Sequence, residues 1–96
     1  MTTNWLPITN LEMQRRLGKT AEELAELLCV IARIGIQGID DIDPASSKTN
    51  RLRLHVETAD VIAQIECNFL AFAMDREVID TRVQMKIAAM RVWESD

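Results

Sequence analysis

Residues 50–72 read NRLRLHVETADVIAQIECNFLAF, and this stretch determines the fold class of the chain. Its apolar residues recur at steps of three and four, which is the period of an α-helix rather than of a β-strand. They cover most of the circumference of the predicted helix, so the helix should lie at the centre of its domain. Thr49 or Asn50 is a suitable N-cap. The stretch therefore predicts an all-α domain.

Two helices are predicted before this central helix. We expect a short helix over residues 11–17, capped by Thr9 or Asn10, and a longer one over residues 20–36. Gly18 stands between them, and glycine weakens a helix. The sequence therefore predicts a break near this glycine.

The other segments complete the prediction of one domain over residues 1–96, with its core at about 17–93. Residues 1–9 should form an irregular arm, and residues 38–49, rich in Asp, Ser, Gly and Pro, a loop between helices. Asp75 is a suitable cap for a last helix. The expected architecture is an antiparallel helical bundle of about four helices.

Composition narrows the classes of function. Hydrophobic residues make up 48% of the 96 residues, which is typical of a folded domain. The net charge of −4 and the few aromatic residues argue against binding of polymeric nucleic acid. No stretch approaches the ~20 apolar residues of a membrane span, and no apolar run of signal-peptide length opens the chain. We expect a cytoplasmic protein with no membrane partner.

Small size predicts self-association, because a domain of this length buries only about two-thirds of its surface and helical chains often complete their core with a second copy. A homo-dimer or homo-tetramer is expected. Cys29 and Cys67 belong to no metal-binding motif and are predicted to be buried core thiols. His55 projects away from the acids described next, so we expect no catalytic role for it.

Two pairs of acids, Glu23-x-x-Glu26 and Glu57-x-x-Asp60, carry the functional prediction. Residues three apart on a helix project from one face, so two packed helices can bring the four carboxylates together. Four convergent carboxylates cannot all stay ionised without cations between them. Their hard oxygen ligands suit Mg²⁺, with Mn²⁺ as a possible substitute. The spacing therefore predicts a metal site.

Both pairs also have an ordinary structural explanation. Thr20 followed by Glu23 fits a capping box at a helix start. The second pair belongs to a polar stripe that is equally typical of the solvent-facing side of a helix. That stripe consists of Arg53, Glu57, Asp60, Gln64 and Asn68. Against these explanations, Glu23 falls on an apolar flank between Val30 and Ile34, where an unpaired carboxylate costs several kcal/mol. The pattern alone leaves the alternatives open.

Two groups of cations and donors could bind an anion. Lys48 and Asn50 lie close to a helix N-terminus, which favours anions, although ordinary capping explains them equally well. Arg82 and Lys86 lie beside the predicted core row of the last helix, where they could reach a phosphate or simply cover the helix flank. That row consists of Ile79, Val83, Ile87 and Met90.

The segments EELAEL at residues 22–27 and KTNRLRLHVETADVIAQIEC at residues 48–67 resemble the MazG-like superfamily of small all-α nucleotide pyrophosphohydrolases. The family pattern of ExxE, a spacer and ExxD is present as Glu23, Glu26, Glu57 and Asp60. The resemblance covers roughly residues 17–93. It implies that the four acids hold Mg²⁺ and that a nucleoside triphosphate is hydrolysed between its α and β phosphates. Glu26 or Glu57 would orient or deprotonate the attacking water.

The resemblance also implies contacts with the substrate. Lys86 resembles the basic residue of the family's last helix and would contact phosphate, and Asn68 resembles a polar position that faces the nucleotide. Arg33 is the nearest cation to the place where relatives carry a basic residue before the loop, and Met90 replaces a second basic residue. Family members commonly form dimers or tetramers whose sites use neighbouring chains. The alternative to this enzyme is a non-catalytic helical oligomerisation or protein-interaction module.

Overall fold

The computed structural model describes residues 4–95, which form three α-helices and no strand. Helix α1 spans Leu11–Gln37, α2 spans Asn50–Ala71 and α3 spans Arg76–Ser95. The all-α prediction is confirmed, whereas the expectation of about four helices is wrong for this part of the chain. Residues 4–10 are irregular, as expected for the arm, and residues 1–3 lie outside the described residues. No helix within 4–95 is both long and apolar enough to cross a membrane.

Helix α1 joins the two helices that were predicted to be separate. It begins after Asn10, whose Oδ1 accepts a hydrogen bond of 3.0 Å from the N–H of Met13. Thr20 does not cap a second helix, because its hydroxyl donates to the carbonyl of Arg16 at 2.9 Å, as a threonine inside a helix does. Gly18 costs about 1 kcal/mol relative to alanine, which is too little to break a helix with good helix formers on both sides.

The loop between α1 and α2 is fixed at both ends. Gly38 ends α1 with a φ of 96°, a conformation that glycine adopts easily. Thr49 caps α2, since its Oγ1 accepts from the N–H of Leu52 at 3.1 Å. Asn50 is fully buried and donates from Nδ2 to the carbonyl of Gly38 at 2.9 Å. The start of α2 is thereby tied to the end of α1.

Replacement of Asn50 should loosen this junction. Asn50→Ala removes the hydrogen bond that the fully buried Asn50 donates from Nδ2 to the carbonyl of Gly38, and loss of such a bond costs about 0.5–1.5 kcal/mol. Urea unfolding should show this loss in the free energy of unfolding. Asn4→Ala, in the exposed arm, is the matched control and should change it by less than about 0.5 kcal/mol. Equal stability of the two variants would contradict the anchoring role.

Helices α1 and α2 pack antiparallel through a face that is largely polar. Thr20 lies beside Asn68 at one end of the pair, and Gln37 lies beside Asn50 at the other. The residues of this face are buried or half-buried and recur at steps of three and four. On α1 they are Arg16, Thr20, Glu23, Leu27, Val30, Ile34 and Gln37, and on α2 they include Asn50, Arg53, Glu57, Asp60, Val61, Gln64 and Asn68.

The predicted apolar faces lie outside this pair. Projection of residues 20–36 onto a helix puts Leu24, Leu28 and Ile31 at the centre of the apolar face, which is the face expected to be buried. In α1 they are 49%, 66% and 51% exposed, whereas Val30 on the flank is fully buried. The prediction of the buried face of α1 is therefore wrong. Cys29 and Cys67, expected in the core, are exposed as well. For the residues of α1 the reason is that this helix turns its flank, and not its most apolar face, towards α2.

Helix α3 is attached to α2 mainly at its start. Arg76 forms an ion pair of 2.8 Å with Glu66 and stacks over the ring of Phe69 at 3.9 Å. No residue of α3 is buried, so its predicted core row is not a core within one chain. The radius of gyration is 17.4 Å, against about 12.5 Å for a compact domain of this length. A single chain thus leaves much apolar surface uncovered.

Candidate metal centre

Three carboxylates from the two packed helices meet in one cluster. Glu23 on α1 and Glu57 and Asp60 on α2 each offer an oxygen, and these oxygens lie within 4.8 Å of one another. Glu23 is buried, with 8% exposure, and the other two are half-buried. We call these three residues the acid cluster. The antiparallel packing of α1 and α2 brings them together from distant parts of the sequence.

Two oxygens of the acid cluster are buried without a hydrogen-bond partner. Within residues 4–95, neither Oε2 of Glu23 nor Oε2 of Glu57 receives a hydrogen bond. Buried polar atoms in proteins are nearly always paired, because an unpaired one costs free energy. A cation bound between the carboxylates would satisfy both oxygens and offset their mutual repulsion.

Lys19 partly compensates the charge of the cluster. Its Nζ lies 3.2 Å from Oε1 of Glu23 and 3.1 Å from Oε1 of Glu22. The hydrogen bonds to Glu22 and then Glu23 raise the pKa of Lys19 above its usual value. Lys19 precedes Glu23 by one helical turn, so the i,i+4 spacing could have identified this ion pair from the sequence. One lysine between two acids leaves the rest of the cluster uncompensated.

Glu26 lies beside the acid cluster rather than within it. The negative charge of Glu23 is the main cause that raises the pKa of Glu26 above its ordinary value, followed by partial burial and the charge of Glu57. Glu26 is exposed and lines a pocket of about 460 Å³, which we call the acid pocket. The acid pocket is lined by Glu22, Ala25, Glu26, Cys29, Arg53 and Glu57. The fourth predicted ligand thus faces space that a ligand could occupy.

The polar stripe of α2 faces α1 and not solvent. All its members are buried or half-buried, so the solvent-face explanation is wrong. The capping-box explanation of Glu23 is also wrong, because Thr20 lies inside α1. Its Oγ1 instead accepts a hydrogen bond of 3.0 Å from Nδ2 of Asn68. Neither ordinary explanation accounts for acids inside a helix–helix interface.

Asn68 and Asn50, two predicted substrate contacts, are both buried. Asn68 uses its Nδ2 on Thr20, while its Oδ1 has no partner within residues 4–95. That oxygen remains able to accept a hydrogen bond. Nδ2 of Asn50 already donates to the carbonyl of Gly38, and this hydrogen bond connects the start of α2 to the end of α1.

The predicted cations lie apart from the acid cluster. Arg33 is exposed and contributes, after Ser46 and Arg53, to lowering the pKa of Asp43 in the loop. The side chain of Lys48 is exposed in the same loop. Lys86 lies on α3 and lines a surface cavity of about 440 Å³ formed by α3 residues alone. Within one chain, none of these cations lines the acid pocket.

The wider surroundings of the cluster contain cations that the sequence patterns did not single out. Arg15, Arg16 and Lys19 line a common groove with residues of α2. Their spacing on one turn of α1 was visible in the sequence, but only the packing shows that they adjoin the acids.

No protein-family model, curated protein or solved structure matches this chain.

Proposed function

We propose that this protein is a Mg²⁺-dependent nucleotide pyrophosphohydrolase that converts a nucleoside triphosphate to the monophosphate and pyrophosphate. The observation that supports the proposal is the acid cluster, in which buried Glu23 and half-buried Glu57 each hold an unpartnered Oε2. An interaction module has no need for such a cluster inside its own helix pair. The resemblance to MazG-like proteins supports the choice of substrate.

The geometry of the cluster suits a small hard cation. Oxygens on opposite sides of Mg²⁺ lie about 4.2 Å apart, since each Mg–O bond is about 2.1 Å. The oxygens of Glu23, Glu57 and Asp60 lie within 4.8 Å of one another, so small side-chain rotations suffice to bind the ion. Glu26 would supply the fourth carboxylate from the acid pocket. Mn²⁺, with similar ligand preferences, should substitute.

The reaction needs a water aimed at the α phosphorus. The bound cation would neutralise charge on the phosphate and acidify a water. Glu26 and Glu57 line the acid pocket together, and either carboxylate can accept the water proton as the new P–O bond forms. The bond from the α phosphorus to the bridging oxygen then breaks, and pyrophosphate leaves. Asn68, whose Oδ1 has no hydrogen-bond partner within residues 4–95, would accept a hydrogen bond from the nucleotide.

A panel of nucleotides with Mg²⁺ or Mn²⁺ tests this proposal. We expect equal amounts of monophosphate and pyrophosphate, with the label from ¹⁸O-water in the monophosphate, and no reaction in EDTA. Asp60→Asn should weaken metal binding, measured by calorimetry, by roughly tenfold or more because it removes a charged ligand. Absence of both metal binding and turnover across the panel would refute the proposal.

We further propose that two or more copies assemble into the helical bundle. The second candidate function, a helical interaction module, is favoured by one observation, namely that no residue of α3 is buried within the chain. Both candidate functions require contacts with another chain, but only the enzyme requires the acids to bind a metal ion. Binding of Mg²⁺ with measurable heat supports the enzyme, and its absence supports the module.

A further inference from the structure

A second groove, whose lining includes three basic residues, borders the acid cluster. We call it the cation groove; it has a volume of about 360 Å³ and is lined by Glu12, Arg15, Arg16, Lys19, Gln64 and Cys67. It adjoins the cluster on both helices. On α1, Lys19 contacts Glu23 at 3.2 Å, and on α2, Gln64 follows Asp60 by one turn. A ligand bound at the acid cluster would therefore be able to extend into this groove.

The cation groove and the acid pocket carry opposite charges. Three cations and the single acid Glu12 line the cation groove. Three carboxylates and the single cation Arg53 line the acid pocket. A polyanion bound at the acid cluster would be attracted to the cation groove and repelled by the acid pocket. The chain has a net charge of −4, but three cations are grouped within residues 15–19. A phosphate chain that starts at the acid cluster should therefore run along the cation groove.

The two arginines of the cation groove have unused donors. Neither Arg15 nor Arg16 makes an ion pair with any residue of 4–95, whereas Lys19 is held by Glu22 and Glu23. Arg16 is half-buried and Arg15 exposed. A guanidinium presents a fork of N–H donors that matches two phosphate oxygens. The groove thus offers two such forks beside one lysine.

We propose that the cation groove binds the terminal two phosphates of a metal-bound oligophosphate, the part that leaves as pyrophosphate. The inference rests on the proposed function, because it takes the α phosphate to lie at the acid cluster. It specifies the substrate class further. A triphosphate reaches Arg15 and Arg16 with its β and γ phosphates, whereas a diphosphate reaches them with one phosphate and a monophosphate with none. Triphosphates are therefore preferred.

Binding of inorganic pyrophosphate in the presence of Mg²⁺ tests the inference. Titration calorimetry should show that the full-length double variant Arg15→Gln/Arg16→Gln binds pyrophosphate roughly tenfold to a hundredfold more weakly than the parent protein, since charge-assisted bonds are lost. Arg91→Gln, an exposed cation on α3, is the control and should bind it normally. Circular dichroism and Mn²⁺ affinity should be unchanged in all variants, which separates the groove from the fold and the metal site.

Alkylation of the two cysteines gives a second test without substitutions. Cys67 lines the cation groove and Cys29 lines the acid pocket, and both thiols are exposed. Pyrophosphate with Mg²⁺ should slow the reaction of Cys67 with iodoacetamide severalfold and slow that of Cys29 much less, as read by peptide mass spectrometry. Protection of Cys29 alone would overturn the inference.

The two proposals fail in different ways. If the parent protein binds Mn²⁺ and releases pyrophosphate, but the double arginine variant binds pyrophosphate normally, the cation groove is not the phosphate site and the proposed function stands. If the parent protein binds neither Mn²⁺ nor pyrophosphate, both proposals are wrong. Preferential loss of pyrophosphate binding in Lys86→Gln would also overturn the inference, because it would place the phosphates on α3.

Discussion

Glu57→Gln should reduce Mg²⁺-dependent pyrophosphate release by a hundredfold or more, the order of loss found when a group that stabilises transition-state charge is removed. Glu57 belongs to the acid cluster, lines the acid pocket and is one of the two candidates for accepting the water proton. A glutamine has the same shape but carries no charge and binds a hard cation poorly. Both turnover and Mg²⁺ affinity should therefore fall.

The fold should survive this substitution. Oε2 of Glu57 is buried without a partner in residues 4–95, so its replacement breaks no hydrogen bond of that atom. Removal of one charge also relieves repulsion among neighbouring acids. The helical circular dichroism signal should be nearly unchanged. Glu77→Gln, an exposed acid in the first turn of α3, is the matched control and should retain turnover. Normal turnover in Glu57→Gln would refute the assignment of the site.

Much of the helical structure follows from local chemistry. The period of the apolar residues predicted the all-α class. Asp75 is an N-cap as expected, and the two caps left open between neighbouring residues are Asn10 and Thr49. Such caps depend on one side chain and the next few backbone N–H groups, so the sequence alone contains them. The break expected at Gly18 was wrong because the cost of one glycine must compete with the packing of a whole helix.

The orientation of the helices did not follow from apolar patterning. That patterning assumes that the most apolar face of a helix is buried within its own chain, which would have placed Leu28 inside. Leu28 is instead 66% exposed, while buried Glu23 and Val30 lie against α2. The assumption fails for the face that carries Leu28, and the sequence has no mark that separates an apolar face buried within the chain from one left exposed.

The candidate site was predictable to the extent that it lies on single helices. Glu57 and Asp60 share one face of α2, and their spacing identified them. Of the two predicted acids of α1, the structure brings Glu23 to the acid cluster and leaves Glu26 beside it, because the rotation of α1 about its axis decides which of its acids points towards α2. Neither the helical projection of the sequence nor the resemblance predicts how α1 is rotated against α2.

The exposed apolar faces have one consequence for all three helices. The side chains concerned are between 38% and 66% exposed: Leu24, Leu28 and Ile31 of α1, Leu52 and Val56 of α2, and Val83 and Ile87 of α3. In proteins most of the stability of a helix comes from packing of its apolar face rather than from helix propensity. Within residues 4–95 the polar interface between α1 and α2 is the only extensive packing between helices, so one chain lacks the apolar burial that stabilises a domain. A second copy can supply it.

Charges placed on the apolar row of α3 should therefore dissociate the protein. In Val83→Glu/Ile87→Glu, two carboxylates would enter the interface, at a cost of several kcal/mol and hence a rise of at least a hundredfold in the dissociation constant. Light scattering should report monomers at micromolar concentration, and the helical signal should fall because α3 unfolds. Val78→Glu/Val92→Glu is the matched control, because these two valines lie on the opposite side of α3. They are 64% and 63% exposed, whereas Val83 is 44% and Ile87 38% exposed. If the two double variants dissociate the protein equally, charge on α3 and not its apolar row controls assembly. A parent protein that is already monomeric would contradict assembly.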